Sequence, residues 1–205
     1  MLVTEAEPMK AILRSGFLAL AIMALAVPAN AGQFEDGMAA YNRGDYATTL
    51  RLWRPLAEQG NASAQYNLGL MYRKGQGVSQ DDAEAVKWYR KAAVQGHVYA
   101  QNNLGHMHEN GQGVPQDDAE AAKWYRKAAE RGFAPAQHNL GVMYADGAGV
   151  PQDDAAAYMW FTLATAQGAE LAKRGRDISA SQMTLNQIAE AQRMAREWMA
   201  EHQQP

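Results

Sequence analysis

Three stretches of the chain read almost alike: GQGVSQDDAEAVKWYRKAA at 75–93, GQGVPQDDAEAAKWYRKAA at 111–129 and GAGVPQDDAAAYMWFTLAT at 147–165. They stand 36 residues apart, and the likeness extends beyond the quoted segments. Residues 65–100 and 101–136 agree at 24 of 36 positions without a gap, and 101–136 and 137–172 agree at 18 of 36. A fixed period of this length marks a stacked, solenoid-type architecture. One unit cannot bury its own apolar face, so each must be covered by its neighbours.

Within a unit the punctuation is helical. AQYNLGLMYRKG, 64–75, has helix-forming composition and ends on glycine, a common helix stop. GQGV follows as a loop whose glycines are free to take positive φ. Asp81 with Glu84, and Asp117 with Glu120, have the spacing of an N-cap and its capping-box acid; Asp153 keeps the cap but has Ala156 in place of the acid. A second helix then runs to Gly96, Gly132 or Gly168. Trp88, Trp124 and Trp160, each followed by an aromatic, read as packing residues at helix contacts. Gly69, Gly105 and Gly141 fall mid-helix, where glycine costs about 1 kcal/mol against alanine. With Ala64, Ala100 and Ala136 they imply close approach of a neighbouring helix backbone.

The motif A-x-x-x-L-G-x-x-Y, G-x-G-V, D-x-x-x-A, W-x-x-x-A-A-x-x-G resembles the Sel-1-like repeat, a relative of the tetratricopeptide repeat. Ala64, Leu68, Gly69, Tyr72, Gly75, Gly77, Val78, Asp81, Ala85, Trp88, Ala92, Ala93 and Gly96 carry it, with their counterparts 36 and 72 residues on; His108 replaces the tyrosine and Thr165 an alanine. The resemblance implies an all-α fold, a right-handed superhelical solenoid of stacked antiparallel helix pairs, and a scaffold or adaptor without catalysis of its own. Some cysteine-rich members are associated with β-lactam binding or hydrolysis. This chain has no cysteine and no Ser-x-x-Lys, so that activity is not carried over.

The flanks divide the rest. Lys10 and Arg14, the apolar run 16–27 and ANA at 29–31 read as a secretory signal peptide over 1–31, cleaved after Ala31, with Met9 as a possible true start. This places the mature chain in a bacterial periplasm or outside the cell, with no membrane span after cleavage. Residues 32–60 read as a divergent leading unit without the G-x-G-V loop, 61–172 as about three repeats, and 173–205 as a capping region. Met159, Thr162 and Leu163 stand where the preceding copy has Lys123, Arg126 and Lys127, so something should cover that helix. Leu185, Ile188, Ala189, Gln192, Ala195, Trp198 and Met199 form a 3–4 spaced stripe on a last helix, opened by Thr184 and Gln187 in a capping-box pattern. Pro55 lies inside a helical pattern and should kink it.

Chemistry is sparse. The charge balance of 19 basic and 22 acidic side chains offers no electrostatic footprint for nucleic acid. G-x-G-V lacks the Gly-Lys-Ser/Thr of a phosphate loop. His106 and His108 point about 160° apart on a helix and make a poor chelate; no metal or other cofactor is expected. The copies differ instead along one line. Tyr66, Leu70 and Arg73 become Asn102, His106 and Glu109, then His138, Val142 and Ala145, while positions 65, 67, 68, 69 and 71 are the same in all three copies. These offsets share a helix face. In related solenoids the first helices line the concave surface, so the stripe is a candidate groove for a protein partner or extended peptide. Asn67, Asn103 and Asn139 flank it; their amides could serve a bound backbone or tie one repeat to the next. A glycan or small-molecule binder and an envelope enzyme remain the alternatives to a protein-binding adaptor.

Overall fold

The computed structural model describes residues 29–202, and the leader expected over 1–31 falls almost wholly outside them. Among the described residues there are ten helices and no strand: α1 (Ala29–Asn42), α2 (Tyr46–Glu58), α3 (Ala62–Lys74), α4 (Asp82–Val94), α5 (Val98–Asn110), α6 (Asp118–Ala129), α7 (Ala134–Asp146), α8 (Asp154–Ala166), α9 (Glu170–Ser181) and α10 (Leu185–His202). Each helix from α1 to α9 packs on its chain neighbours, and α10 returns to lie on α8. The result is a solenoid of stacked helix pairs.

Local chemistry sets the breaks. Gly75, Gly111 and Gly147 end α3, α5 and α7 in the left-handed conformation. The second loop glycine has a different task. A Cβ on Gly113 would run into the backbone of Asp82 and Ala83 at the start of α4, and one on Gly149 into Asp118 and Ala119 at the start of α6. Each loop therefore docks on the preceding unit. Asp81, Asp117 and Asp153 accept from backbone N–H groups of the first turns of α4, α6 and α8, a bond worth about 1 kcal/mol each. The reciprocal half of the capping box does not form. Glu84 pairs with Lys87 and Glu120 with Lys123, while the N–H groups of Asp81 and Asp117 donate to Tyr72 and His108 carbonyls. Thr184 and Gln187 do make both halves, at 2.8 and 3.3 Å.

The core is a run of small clusters, one per junction. Tyr89, Tyr125 and Phe161 are buried, and so are Trp88, Trp124 and Trp160. The mid-helix glycines face these rings, not a backbone: a Cβ on Gly69, Gly105 or Gly141 would come within 2.6–2.8 Å of Tyr89, Tyr125 or Phe161 of the same unit. The leading unit repeats the device with Gly37 under Trp53, whose indole N–H donates to the Phe34 carbonyl at 3.1 Å. A buried glutamine ties successive units. Gln65, Gln101 and Gln137 donate to the carbonyls of Ala57, Ala93 and Ala129 at the end of the previous helix.

At the ends the structure adds detail, and in one place it corrects the sequence reading. α2 runs on through Pro55 to Glu58, with the proline exposed in its last turn. α9 is a helix in its own right, with Ala172 buried at the offset of Ala64, Ala100 and Ala136. The contact face of α10 is rotated from the expected stripe: Ala191 and Ala195 are buried, with Met194, Trp198 and Met199 packed around Met159, Trp160 and Leu163. Leu185, Ala189 and Gln192 are exposed. Leu185 opens the helix and lies at 84% exposure, and Gln192 reaches α8 only through its bond to the Tyr158 hydroxyl.

Candidate functional site

The stripe of first-helix residues is half-buried throughout, not a free solvated face. Tyr66 stacks on His97, centroids 4.7 Å apart, with Tyr99 beyond. Burial pushes the Tyr66 hydroxyl above its usual range, against the opposing effect of a hydrogen bond with Asn103. Burial also raises Tyr89 to about 12. Leu70 packs partly on the α4–α5 cluster. Glu109 accepts from the Tyr125 hydroxyl at 2.7 Å; burial first, and this carboxylate second, push the phenol up. His138 lies against Phe161, and burial holds its imidazole below the ordinary histidine value. Val142 and Ala145 pack on the cluster of Phe161 and Ala172 that joins α7, α8 and α9. Arg73 and His106 are half-buried, with the His106 Nδ1 buried and unbonded.

One of the asparagines ties repeat to repeat. Asn139 donates to the Asn102 carbonyl oxygen at 3.2 Å and so joins α7 to α5. Asn103 lies near Tyr66 and Tyr89 of the unit before it and opposes the rise that burial gives their hydroxyls. Asn67 is half-buried on the same line.

Sequence reasoning missed the residues at the starts of the first helices. Tyr66, His97, Tyr99 and Phe133 form a continuous row of rings, each close to the next, and Tyr99 is 54% exposed. The row leads to a hollow of about 420 Å³ between the N-terminal ends of α7 and α9, lined by Ala134, Pro135, His138, Asn139, Ala169 and Leu171 among others. The signal was present: these positions recur at the 36-residue offset, but as different residue types that a search for identity passes over. Among the described residues no group of three or more His, Asp or Glu side chains could hold a metal, and no helix is long and apolar enough to cross a membrane.

The Sel1 repeat pattern matches residues 62–97, 98–133 and 134–168, slightly more than half of the chain. The chain belongs to the Sel1 repeat family. Its matched units begin at α3, α5 and α7, so α1–α2 and α9–α10 flank three Sel1 repeats. Two solved structures share the fold. The Sel1 repeat protein from Oxalobacter formigenes is 34% identical with a TM-score of 0.68, over 71% of this chain and 60% of that one. A protective antigen of uropathogenic Escherichia coli with an SLR fold is 30% identical with a TM-score of 0.60, over 84% of this chain and 46% of that one. Among curated proteins, an exopolysaccharide production negative regulator of Rhizobium leguminosarum bv. viciae is 39% identical over 54 residues; the match covers 26% of this chain and only 20% of the regulator. Sel1 repeats generally mediate protein–protein interaction, and the family is typically a scaffold without catalysis.

Proposed function

We propose that this Sel1 repeat protein is a non-catalytic adaptor of the bacterial cell envelope, exported by the leader over 1–31, which holds an extended peptide segment of a partner protein along its concave first-helix surface. One observation carries the reading. Within the first helices Leu68, Gly69 and Met71 and their counterparts are the same in all three repeats, while between them runs a changing line from Tyr66 through His106 to His138, bordered by the exposed ring of Tyr99. A surface that kept only its packing constraints would not keep a row of rings half-open to solvent. Tyrosine and tryptophan are favoured anchors of interfaces. The likeness of a short segment to a regulator accords with an interaction role.

The test is in-cell cross-linking with mass-spectrometric identification, followed by a binding titration of the captured partner. Arg73→Glu with His106→Glu should leave the helical signal intact and weaken capture by about tenfold or more. Protein from the envelope fraction should begin at Gly32. Folded variants that bind like the parent would dismiss the groove, and binding to isolated peptidoglycan without any protein partner would replace it with a glycan-binding role.

A further inference from the structure

The junctions between successive first helices are built from equivalent positions. Ser63, Tyr66 and His97 stand at the first, Tyr99, Asn102 and Phe133 at the second, and Pro135, His138 and Ala169 at the third. Two of the three are closed from within. At the first, the His97 ring stacks on Tyr66, 4.7 Å between centroids and 25° between planes. At the second, the Phe133 ring meets Tyr99 edge-on at 4.8 Å. At the third, Ala169 offers a methyl group where the other junctions offer a ring, and the hollow of about 420 Å³ is what remains.

We propose that the hollow between α7 and α9 takes an aromatic side chain from an extended segment of a partner protein, with a lysine or arginine beside that ring meeting Glu170. The proposal rests on the peptide-binding reading and fixes the chemistry of the partner at its last junction. The chain itself shows the occupant's shape, since a flat ring fills each of the two equivalent places. A volume of 420 Å³ exceeds one ring and leaves room for adjoining backbone. Leu171, 68% exposed on the wall, adds apolar surface. Asn139 spends its NH2 group on Asn102, which leaves its carbonyl oxygen to accept from a peptide N–H. Glu170 also lines the hollow and has no ion pair among the described residues, although Lys173 and Arg174 follow it on the same helix. Its charge selects a cation beside the ring.

The backbone supplies a clean control. Phe133 and Ala169 occupy the same cap position, with φ −76°, ψ 103° and φ −75°, ψ 91° respectively, and neither makes a side-chain capping bond. Ala169→Phe therefore fits the existing backbone and plugs the hollow from within. The isotope-labelled full chain is titrated with acetyl-Phe-Arg-amide, acetyl-Ala-Arg-amide and acetyl-Phe-Glu-amide while amide chemical shifts are followed. The expected result is saturable shifts at residues 138–139 and 168–171 with the first peptide. The alanine peptide should bind about tenfold more weakly or worse, as loss of a buried ring requires, and the glutamate peptide also more weakly. Ala169→Phe should abolish the response at an unchanged or higher melting temperature. No saturable shift below about 10 mM, equal binding of the phenylalanine and alanine peptides, or a folded Ala169→Phe that still responds would each overturn the proposal. Equal binding of the arginine and glutamate peptides would overturn its cationic part. The comparison of peptides on the parent chain stands whether or not the variant folds. Silence here with partner capture still sensitive to Arg73→Glu and His106→Glu removes the hollow and leaves the groove; a peptide response without that sensitivity does the opposite.

Discussion

Gly111 and Gly113 lie two residues apart in one loop, both in left-handed backbone, at φ +64° and +69°. Alanine at either position pays the same conformational penalty, about 1–2 kcal/mol. Their surroundings differ. A Cβ on Gly111 meets only Gln116, at an ordinary 3.4 Å. A Cβ on Gly113 meets the Asp82 carbonyl and lies 2.6 Å from the Ala83 nitrogen, and this is helix backbone that no rotamer change can clear. The loop must lift off α4 or α4 must shift, and overpacking of that kind typically adds about 1–3 kcal/mol. Gly111→Ala should therefore cost about 1–2 kcal/mol and Gly113→Ala about 2–5. For a domain of this size, roughly 2–4 °C of melting temperature goes with each kcal/mol. Urea and thermal unfolding followed by circular dichroism measure the difference. Hydrogen exchange should show the extra damage localised to the first turn of α4. Equal losses in the two variants, or a Gly113→Ala chain with unchanged protection at Glu84 and Ala85, would refute the claim that the second loop glycine sets the register between units.

Other perturbations probe separate features. Removing α10 by truncation after Gln182 should expose Met159 and Leu163 and give a less stable, aggregation-prone chain, while Trp198→Ala, which strips a half-buried ring from Trp160, should cost about 1–3 kcal/mol by urea denaturation. Tyr66→Ala should lose about 1 kcal/mol or more, because its stack on His97 goes with it; a loss indistinguishable from zero in the melting curve would return Tyr66 to the solvated surface. His97, His108 and His138 are all held below the ordinary histidine value by burial, so the unfolded chain takes up protons more readily. Stability should be flat above about pH 7, fall as the pH drops through about 6.5, where unfolded histidines protonate, and level off below the depressed native values. A urea midpoint that does not move between pH 7.5 and about 5 would contradict that sign.

The repeat made the fold legible because period and caps are local. Asp81 predicts its own helix start and Gly75 its own helix end, and both are where the sequence placed them. What failed was anything decided by a partner outside the local window. Glu84 has the spacing of a capping box, but Lys87 competes for its carboxylate and Tyr72 takes the Asp81 N–H. Gly69 is a true close-approach glycine, yet only the structure shows that the approaching body is the Tyr89 ring. Gly37 escaped notice because the leading unit has a shorter loop: it stands 16 residues before Trp53, whereas Gly69 stands 20 before Tyr89. The stripe was found by asking where the copies disagree, which identified a line of positions but not its burial. The hollow needed the opposite comparison, a position that is aromatic in one junction after another and then stops being so.

The buried glutamine of each unit also has an end. Gln65, Gln101 and Gln137 fasten their helices to the carbonyls before them, but 36 residues after Gln137 stands the exposed Lys173, and α9 buries only Ala172 and Ser179. α9 is thus moored by shape alone, through Ala172 and through Gly175 beneath Phe161. One wall of the hollow is α7, locked by Gln137 to the unit before it, and the other is α9, which keeps its place on α8 by packing without such a lock, so a change at Ala172 or Gly175 would shift one wall of the hollow and leave the spacing of the repeats untouched.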